Sequence, residues 1–356
     1  MEPRSLEFLK RLLSLAGPSG YEAMPAQAWR EEAETFADRV WADVAGNSFA
    51  AVNSDGEPRV MLAGHIDEIG LMVNHIDDDG FLYFSTIGGW DPEVVVGQRV
   101  EILTLDGPVP GLIGKKAIHL QEKEDREKAS KVKDLWIDIG AKDGEDARRR
   151  VRVGDAAVLA APVVELSHDR IASRSIDNRM GALVALEALR RLAADRPRAG
   201  VVAVATTQEE IGLASGGGAR SGAFGLDPKI AIVVDVTHAT DYPGAEKKGH
   251  GDHRLGGGPV LSRGSAVNPV LFQRLADVAE REKISCSIEA APSRTSTDAD
   301  SIVMARAGIA TALVSVPNRY MHSPNEMVAL EDLDRAAELI AATVRTFSTA
   351  DDFVPR

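Results

Sequence analysis

The sequence predicts an α/β fold, a mixed sheet with helices on both faces, into which a small all-β unit is inserted. Three observations carry that reading. Four short apolar runs, 60–63 (VMLA), 201–205 (VVAVA), 230–234 (IAIVV) and 311–316 (TALVSV), have the length and composition of buried strands. Amphipathic helical patterns lie between several of them, which is the alternation of an α/β sheet. Residues 71–165 have a different texture, with short strand-like segments broken by Gly and Asp and no long helix separating most of them.

Along the chain, the opening MEPRSLEFLKRLLSLAG sets Glu2, Arg4, Glu7, Lys10 and Arg11 among apolar residues. That predicts an amphipathic helix, not a signal peptide with an unbroken apolar centre. The run 60–63 is the first buried strand. Segments 71–77, 81–86, 98–105, 134–140 and 156–164 are the strands of the inserted unit, placed at residues 72–164. Residues 1–71 and 165–356 then form the α/β body. The polar stretch 121–134 (QEKEDREKASKVKD) carries charges of both signs and predicts a mobile surface loop. Residues 179–194, 268–283 and 331–347 repeat apolar side chains at three- and four-residue spacing, which predicts helices. No internal repeat or low-complexity tract is present.

The 356 residues suffice for one large domain or two ordinary ones. Lys plus Arg is 41 and Asp plus Glu is 54, so the net charge is 41 − 54 = −13. That argues against nucleic-acid or anionic-membrane binding as the main role, since both need a basic surface. Apolar residues at 44% and charged residues at 27% fit a globular protein, not a disordered one. No apolar run approaches the ~18 residues of a membrane span. A single cysteine, Cys286, allows no internal disulfide, and the expected compartment is the cytoplasm.

Each apolar run is followed by residues able to bind a metal. The first leads to His65 and Asp67, the second to Glu209 and Glu210, the third to Asp235, and the fourth, six residues on, to His322. Ligands bind beyond the carboxyl ends of strands in open α/β sheets, so these ends form a candidate metal site. His65 and Asp67 are two apart and share a face of a strand, which lets the carboxylate orient the imidazole. A solvated strand end is the alternative. Glu209 and Glu210 repel each other unless a cation or proton intervenes. Successive side chains at a strand end point apart, so one would ligate while the other faces water; a solvated acidic pair is the alternative. Asp177, in Asp177-Asn178-Arg179-Met180-Gly181, reads first as a helix N-cap and second as a carboxylate able to bridge two ions. His250 and His253 lie in a Gly-rich stretch and read as loop residues. Gly216-Gly217-Gly218 lacks a following Lys-Ser/Thr and is no phosphate loop. Cys286 reads as a packed small side chain. His75, His119, His168 and His238 have no partner by spacing.

With these residues assembled, the chain resembles the M42 family of metallo-aminopeptidases, the glutamyl, leucyl and deblocking aminopeptidases of the TET type. The resemblance runs nearly end to end. It includes Gly17-Pro18-Ser19-Gly20-Tyr21-Glu22, Gly64-His65-Ile66-Asp67-Glu68-Ile69-Gly70, Gly111-Leu112-Ile113-Gly114 with His119, and Ile137-Asp138-Ile139-Gly140-Ala141. It continues through Asp177-Asn178-Arg179-Met180-Gly181, Gln208-Glu209-Glu210-Ile211-Gly212, Asp235-Val236-Thr237 and Arg319-Tyr320-Met321-His322-Ser323. One departure is Ser296-Thr297-Asp298-Ala299, where the family often has Gly-Thr-Asp-Ala; it bears on loop shape and specificity.

The resemblance implies a zinc-exopeptidase-like fold and assigns roles. His65 would ligate one metal with Asp67 orienting its imidazole, Asp177 would bridge both metals, and Asp235 would complete the first site. Glu210 and His322 would hold the second metal, and Glu209 would be the general base. Two divalent ions bring +4, Asp177, Glu210 and Asp235 bring −3, and a hydroxide −1, so the first coordination sphere sums to zero. Zn²⁺ is the expected ion, with Co²⁺ or Mn²⁺ also suited to His and carboxylate ligands. The implied reaction is removal of N-terminal residues from short peptides through water activated by two metals. The inserted unit would be the family's dimerisation domain, and the assembly a tetrahedral dodecamer. A co-catalytic metal carboxypeptidase or an N-acyl amino-acid deacylase would present a similar ligand set and is the competing expectation.

Overall fold

The computed structural model describes residues 1–212 and 217–356, so Gly216 of the glycine triplet lies outside the described residues. The strands are β1 (Arg39–Ala42), β2 (Ser48–Val52), β3 (Arg59–His65), β4 (Gly70–Ile76), β5 (Leu82–Ile87), β6 (Arg99–Thr104), β7 (Gly107–Gly114), β8 (Trp136–Asp138) and β9 (Ala156–Leu159). They continue as β10 (Val164–Leu166), β11 (Arg170–Ser173), β12 (Gly200–Thr206), β13 (Ile230–His238), β14 (Val260–Gly264), β15 (Ser287–Ala291), β16 (Ala310–Asn318) and β17 (Glu326–Ala329).

Eight strands form the main sheet in the order β1-β2-β12-β3-β13-β16-β14-β15. The four apolar runs supply β12, β3, β13 and β16, which are neighbours and mutually parallel. Strands covered on both faces carry unbroken apolar runs, which is why these four stand out in the sequence. Antiparallel pairing of β2 with β12 and of β14 with β16 makes the sheet mixed.

Strand periodicity sorts the side chains between two cores. Val60, Leu62, Val201, Ala203, Ile230 and Ile232 face helices Pro3–Ser14, Ile176–Ala194, Pro269–Glu282 and Leu330–Val344. Met61, Ala63, Val202, Val204, Ala231 and Val233 face helices Gly217–Leu226 and Asp298–Ile302. Helix Ile176–Ala194 comes unusually near the sheet because glycines meet there. A Cβ on Gly64 would lie 2.4 Å from the Gly181 carbonyl carbon. This close approach sets the first turn of the helix against the carboxyl end of β3.

The inserted unit is a closed barrel, β4-β5-β8-β7-β6-β9, around Leu71, Leu82, Phe84, Val100, Ile102 and Ile137. Strand β7 has no counterpart among the expected segments, because Pro108 and Pro110 disguise it. Strand β8 pairs with β7 only over residues 112–114, so both prolines fall where no second partner needs their missing N–H. The polar stretch contains two single turns of 3₁₀ helix, Lys123–Asp125 and Val132–Asp134, with Val132 resting on the barrel core. A small sheet, β10-β11-β17, pairs Ser173 with Glu326 and so draws the chain before Asp177 beside the chain after His322.

One loop expectation is corrected: Lys247–His250 closes a single helical turn, with the Gly251 N–H donating to the Lys247 carbonyl at 2.9 Å. Gly251 at φ +96° ends it in a conformation that glycine adopts freely. Among the described residues no helix is long and apolar enough to cross a membrane.

Candidate metal centre

Parallel strands end on one side, and that edge gathers the residues that follow each run. Strand β3 ends at His65, which is buried. Asp67 Oδ1 lies 3.3 Å from His65 Nδ1, and His65 Nε2 faces Asp177 Oδ1 at 3.2 Å. Asp67 is itself held on three sides. Ser19 Oγ donates to its Oδ2 at 2.6 Å, and the Glu209 and Glu210 N–H groups donate to Oδ1 and Oδ2 at 3.2 Å. One buried carboxylate therefore orients the histidine and fixes the turn bearing both glutamates.

That turn is helical. Gln208 adopts φ +58°, and Glu209–Gly212 form a short α-helix. The two glutamates thus diverge by helical rotation, and not by the strand alternation the sequence suggested. Glu209 Oε2 lies 3.8 Å from His65 Nε2, and Glu210 Oε2 lies 3.3 Å from His322 Nε2.

Asp177 is no N-cap. Its backbone, at φ −75° and ψ 103°, departs from the helix in which it lies. Its carboxylate spans two histidines, Oδ1 at 3.2 Å from His65 Nε2 and Oδ2 at 3.4 Å from His322 Nε2. The capping bond comes from the next residue: Asn178 Oδ1 accepts the Gly181 N–H at 3.1 Å, while its Nδ2 donates to the Val234 carbonyl at 2.8 Å. Asp235 lies in the second half of β13, buried, with Oδ1 accepting the Val236 N–H at 2.7 Å. His322 donates Nδ1–H to the Gly89 carbonyl, at 2.7 Å, and so presents Nε2 to Asp177 and Glu210. Gly89 belongs to the inserted unit, which thereby reaches the site.

The expected ligands therefore meet. One ligand atom from each of His65, Asp177 and Asp235 lies within 4.8 Å of the others, and the same holds for Asp177, Glu210 and His322. Asp177 is common to both groups.

The electrostatics ask for a cation. Burial, then the charges of Asp235, Asp298 and Glu210 against the opposing His65, pushes the Glu209 carboxyl up to about 10. Burial and the neighbouring Asp177 push Glu210 up to about 7, and burial drives Asp235 well above the usual carboxylate range. Against its burial, the Asp177 and Glu210 carboxylates hold His322 up at about 11. Crowded carboxylates that retain protons bind divalent ions by the same attraction. Glu209 Oε1 and Glu210 Oε1 are buried with no hydrogen-bond partner. An unpartnered buried carboxylate oxygen is costly unless something else occupies it. Imidazole and carboxylate donors without thiolate fit Zn²⁺, Co²⁺ or Mn²⁺.

Two contributors were invisible to sequence reasoning. Glu326, buried, accepts the Asp177 N–H at 2.9 Å and the His322 N–H at 2.8 Å, clamping the two loops together. The signal was weak: an acid four residues beyond His322 at the start of a strand. The Gly89 carbonyl offers no side-chain signal. Replacing Glu326 by Ala should weaken metal binding by about 10–100-fold, the usual cost of losing a group that orients ligands. Competition against a fluorescent chelator measures this, and unaltered affinity would show that the clamp is dispensable.

Ser296, the departure from the family pattern, takes φ +57°, the conformation glycine adopts freely. The loop shape is thus kept while a hydroxyl is added to the cleft wall. Arg319 pairs with Asp241 at 2.7 Å, outside both ligand groups. His238 meets His250 edge to face, with ring centroids 5.7 Å apart, a tertiary contact no spacing revealed. Buried His253 faces Ser287 Oγ at 2.8 Å through Nδ1. Cys286 packs half-buried against the main core.

The cleft over these residues has a volume of about 350 Å³ and is also lined by Thr237, His238, Glu289, Leu313 and Met321. A family model described as M42 glutamyl aminopeptidase matches residues 46–339. The lysyl aminopeptidase of Pyrococcus furiosus is 35% identical over 353 residues, covering 98% of this chain and 99% of the relative. Among solved structures, a TET aminopeptidase from a marine sediment Thaumarchaeota archaeon is similar at 33% identity, with a TM-score of 0.92 and 97% of each chain covered. A TET1 peptidase of Pyrococcus horikoshii, described as able to assemble into a tetrahedron or a large octahedral shell, is 31% identical with a TM-score of 0.84, covering 96% of this chain and all of the other.

Proposed function

The chain belongs to the M42 glutamyl aminopeptidase family and is a metal-dependent aminopeptidase, and from that premise we propose that it removes N-terminal residues from short peptides at a dinuclear centre. The observation that carries the proposal is the sharing of Asp177 between two ligand groups, with Glu209 beside them but in neither. His65, Asp177 and Asp235 would hold one ion, and Asp177, Glu210 and His322 the other. Zn²⁺ is the proposed ion, with Co²⁺ or Mn²⁺ as alternatives. When bound, the ions supply Lewis-acid polarisation of the scissile carbonyl and lower the pKa of water.

The remaining work falls to the chain. With the crowded negative charge neutralised by bound cations, Glu209 gives up its own proton and so can take one from the attacking water through its unpartnered oxygen and deliver it to the leaving amine. Asp67 positions the His65 ring and holds Glu209 through its backbone N–H. The Gly89 carbonyl sets the His322 tautomer.

We divide the chain into a catalytic body of residues 1–71 and 165–356 and an inserted barrel of residues 72–164 that mediates dimerisation. Exposed Leu105, Leu112, Ile118 and Leu120 in the inserted unit support such a contact. The named assemblies of the TET1 relative support a homo-oligomer, proposed as a tetrahedral dodecamer in the cytoplasm.

The test is hydrolysis of aminoacyl-p-nitroanilides by chelator-treated protein with Zn²⁺, Co²⁺ or Mn²⁺ returned, beside an N-acetylated substrate. Metal-restored cleavage of free amino termini alone is the expected result. Cleavage of only the blocked substrate would replace the proposal with a deacylase.

A further inference from the structure

The motif Gly17-Pro18-Ser19-Gly20-Tyr21-Glu22 supplies no metal ligand, yet it reaches three parts of the frame around the centre. Pro18 bridges to Glu68 just past β3, and the Tyr21 hydroxyl donates to the Gly154 carbonyl of the inserted unit. Glu22 reaches the turn that carries Glu209. Its Oε1 accepts the Gly20 N–H at 2.8 Å and the Gln208 N–H at 3.2 Å. Glu22 is buried, and among the described residues no lysine or arginine pairs with it. Its role is therefore not that of an ion-pair partner. Gln208, Glu209 and Glu210 present three successive N–H groups where a helix starts, and no carbonyl within that helix can accept them. Glu22 takes the first and Asp67 the other two. Glu22 itself stands at the start of helix Ala23–Ala33, whose buried Trp29 donates Nε1–H to the Ala182 carbonyl at 2.9 Å. The acceptor for Gln208 is thus fixed to the core.

We propose that Glu22 is a positioning residue for the general base: by accepting the Gln208 N–H it holds Gln208 left-handed and so aims Glu209 at the metal centre. The inference rests on the aminopeptidase reading, with Glu209 as base, and adds what aims that base. Gln208 adopts φ +58°, a conformation its side chain disfavours, so an outside contact must hold it there. It directly precedes Glu209, and its dihedral angles set the direction in which the Glu209 side chain leaves the backbone. What this needs of Glu22 is an accepting oxygen at a fixed reach, not a charge. Glu22 and Gln208 are 186 residues apart, so the contact exists only in the folded chain.

The experiment measures kcat and KM of the metal-loaded enzyme on whichever aminoacyl-p-nitroanilide the wild type cleaves fastest. Rates are expressed per bound metal ion, so unfolded enzyme does not count. Glu22→Asp keeps the charge but is one methylene shorter, and Glu22→Gln keeps the reach and an accepting oxygen but loses the charge. Glu22→Asp should lower kcat by up to about 100-fold, the order lost when a reacting group is misplaced by about 1 Å, with KM and metal content at the wild-type values. Glu22→Gln should keep most of kcat. Adding Gln208→Gly to Glu22→Asp should return part of the loss, because glycine adopts the left-handed conformation freely. Gln208→Val, which leaves Glu22 intact, should lower kcat in the same way, since a β-branched residue resists a positive φ. Wild-type kcat in Glu22→Asp or in Gln208→Val, a fall in Glu22→Gln as large as in Glu22→Asp, or lost metal in place of lost kcat overturns the proposal and leaves the aminopeptidase reading standing. A wild type that cleaves no free amino terminus overturns both.

Discussion

Glu209→Gln should lower kcat by about 10²–10⁴-fold, the usual contribution of a positioned general base, while the protein keeps its metal. The substitution conserves shape and removes only the capacity to take a proton. Glu209 belongs to neither ligand group, so metal content should stay at the wild-type value. Its Oε1 is buried without a partner, and its backbone N–H is held by Asp67, so the carboxylate is fixed by contacts that the amide preserves. KM should move little, since the group acts on the water and the leaving amine, not on substrate binding. Kinetics paired with elemental analysis of the same sample separates the possibilities. Full activity would remove Glu209 from the base role, and lost metal would make it a ligand.

Asp177→Asn should have the larger effect. Each Asp177 oxygen faces a different histidine, 3.2 Å from His65 Nε2 and 3.4 Å from His322 Nε2. An amide retains one neutral oxygen, and its nitrogen cannot ligate a cation. Both sites then lose a ligand and a negative charge together. Losing several kcal/mol of metal-derived stabilisation corresponds to a fall of about 10³-fold or more in kcat/KM. Thermal stability supplies a second signature. Ions that bind only the folded state stabilise it by about 4 kcal/mol at a thousand times Kd. Added Zn²⁺ should therefore raise the Tm of the wild type and leave that of Asp177→Asn unmoved. A single-site enzyme would lose only part of that rise.

The scaffold was legible because burial on both faces writes a plain signal. Runs 60–63, 201–205, 230–234 and 311–316 cannot be amphipathic strands, and they are the four parallel strands at the sheet centre. Their alternating side chains, Val60 and Leu62 against Met61 and Ala63, then divide between the two cores. The edge elements were harder. Strand β7 carries prolines that are tolerated only because β8 starts pairing late, and nothing local reveals that.

The site divides in the same way. His65 ends β3 with Asp67 just beyond it, Asp235 lies in the second half of β13, and Glu209 and Glu210 come shortly after β12, so strand direction points them to one edge. Asp177 was ambiguous because an aspartate before a helical pattern looks the same as a cap or a ligand. The structure gives the capping bond to Asn178, which removes the cap reading. Glu326 acts on two backbone N–H groups, one of them 149 residues away at Asp177, and Gly89 acts from a backbone oxygen 233 residues from His322, so neither role could be read locally. Such roles follow from the pairing of β11 with β17 and from the placement of the barrel, neither of which has a local sequence signature.

The central claim is that one aspartate joins two cation sites. Its most direct test is the number of divalent ions per chain, measured by elemental analysis after chelation, reloading with Zn²⁺ and dialysis, for the wild type and Asp177→Asn in parallel. The account predicts two ions per wild-type chain and loss from both sites in the variant. A wild type saturating at one ion, or a variant that still holds two, would contradict it.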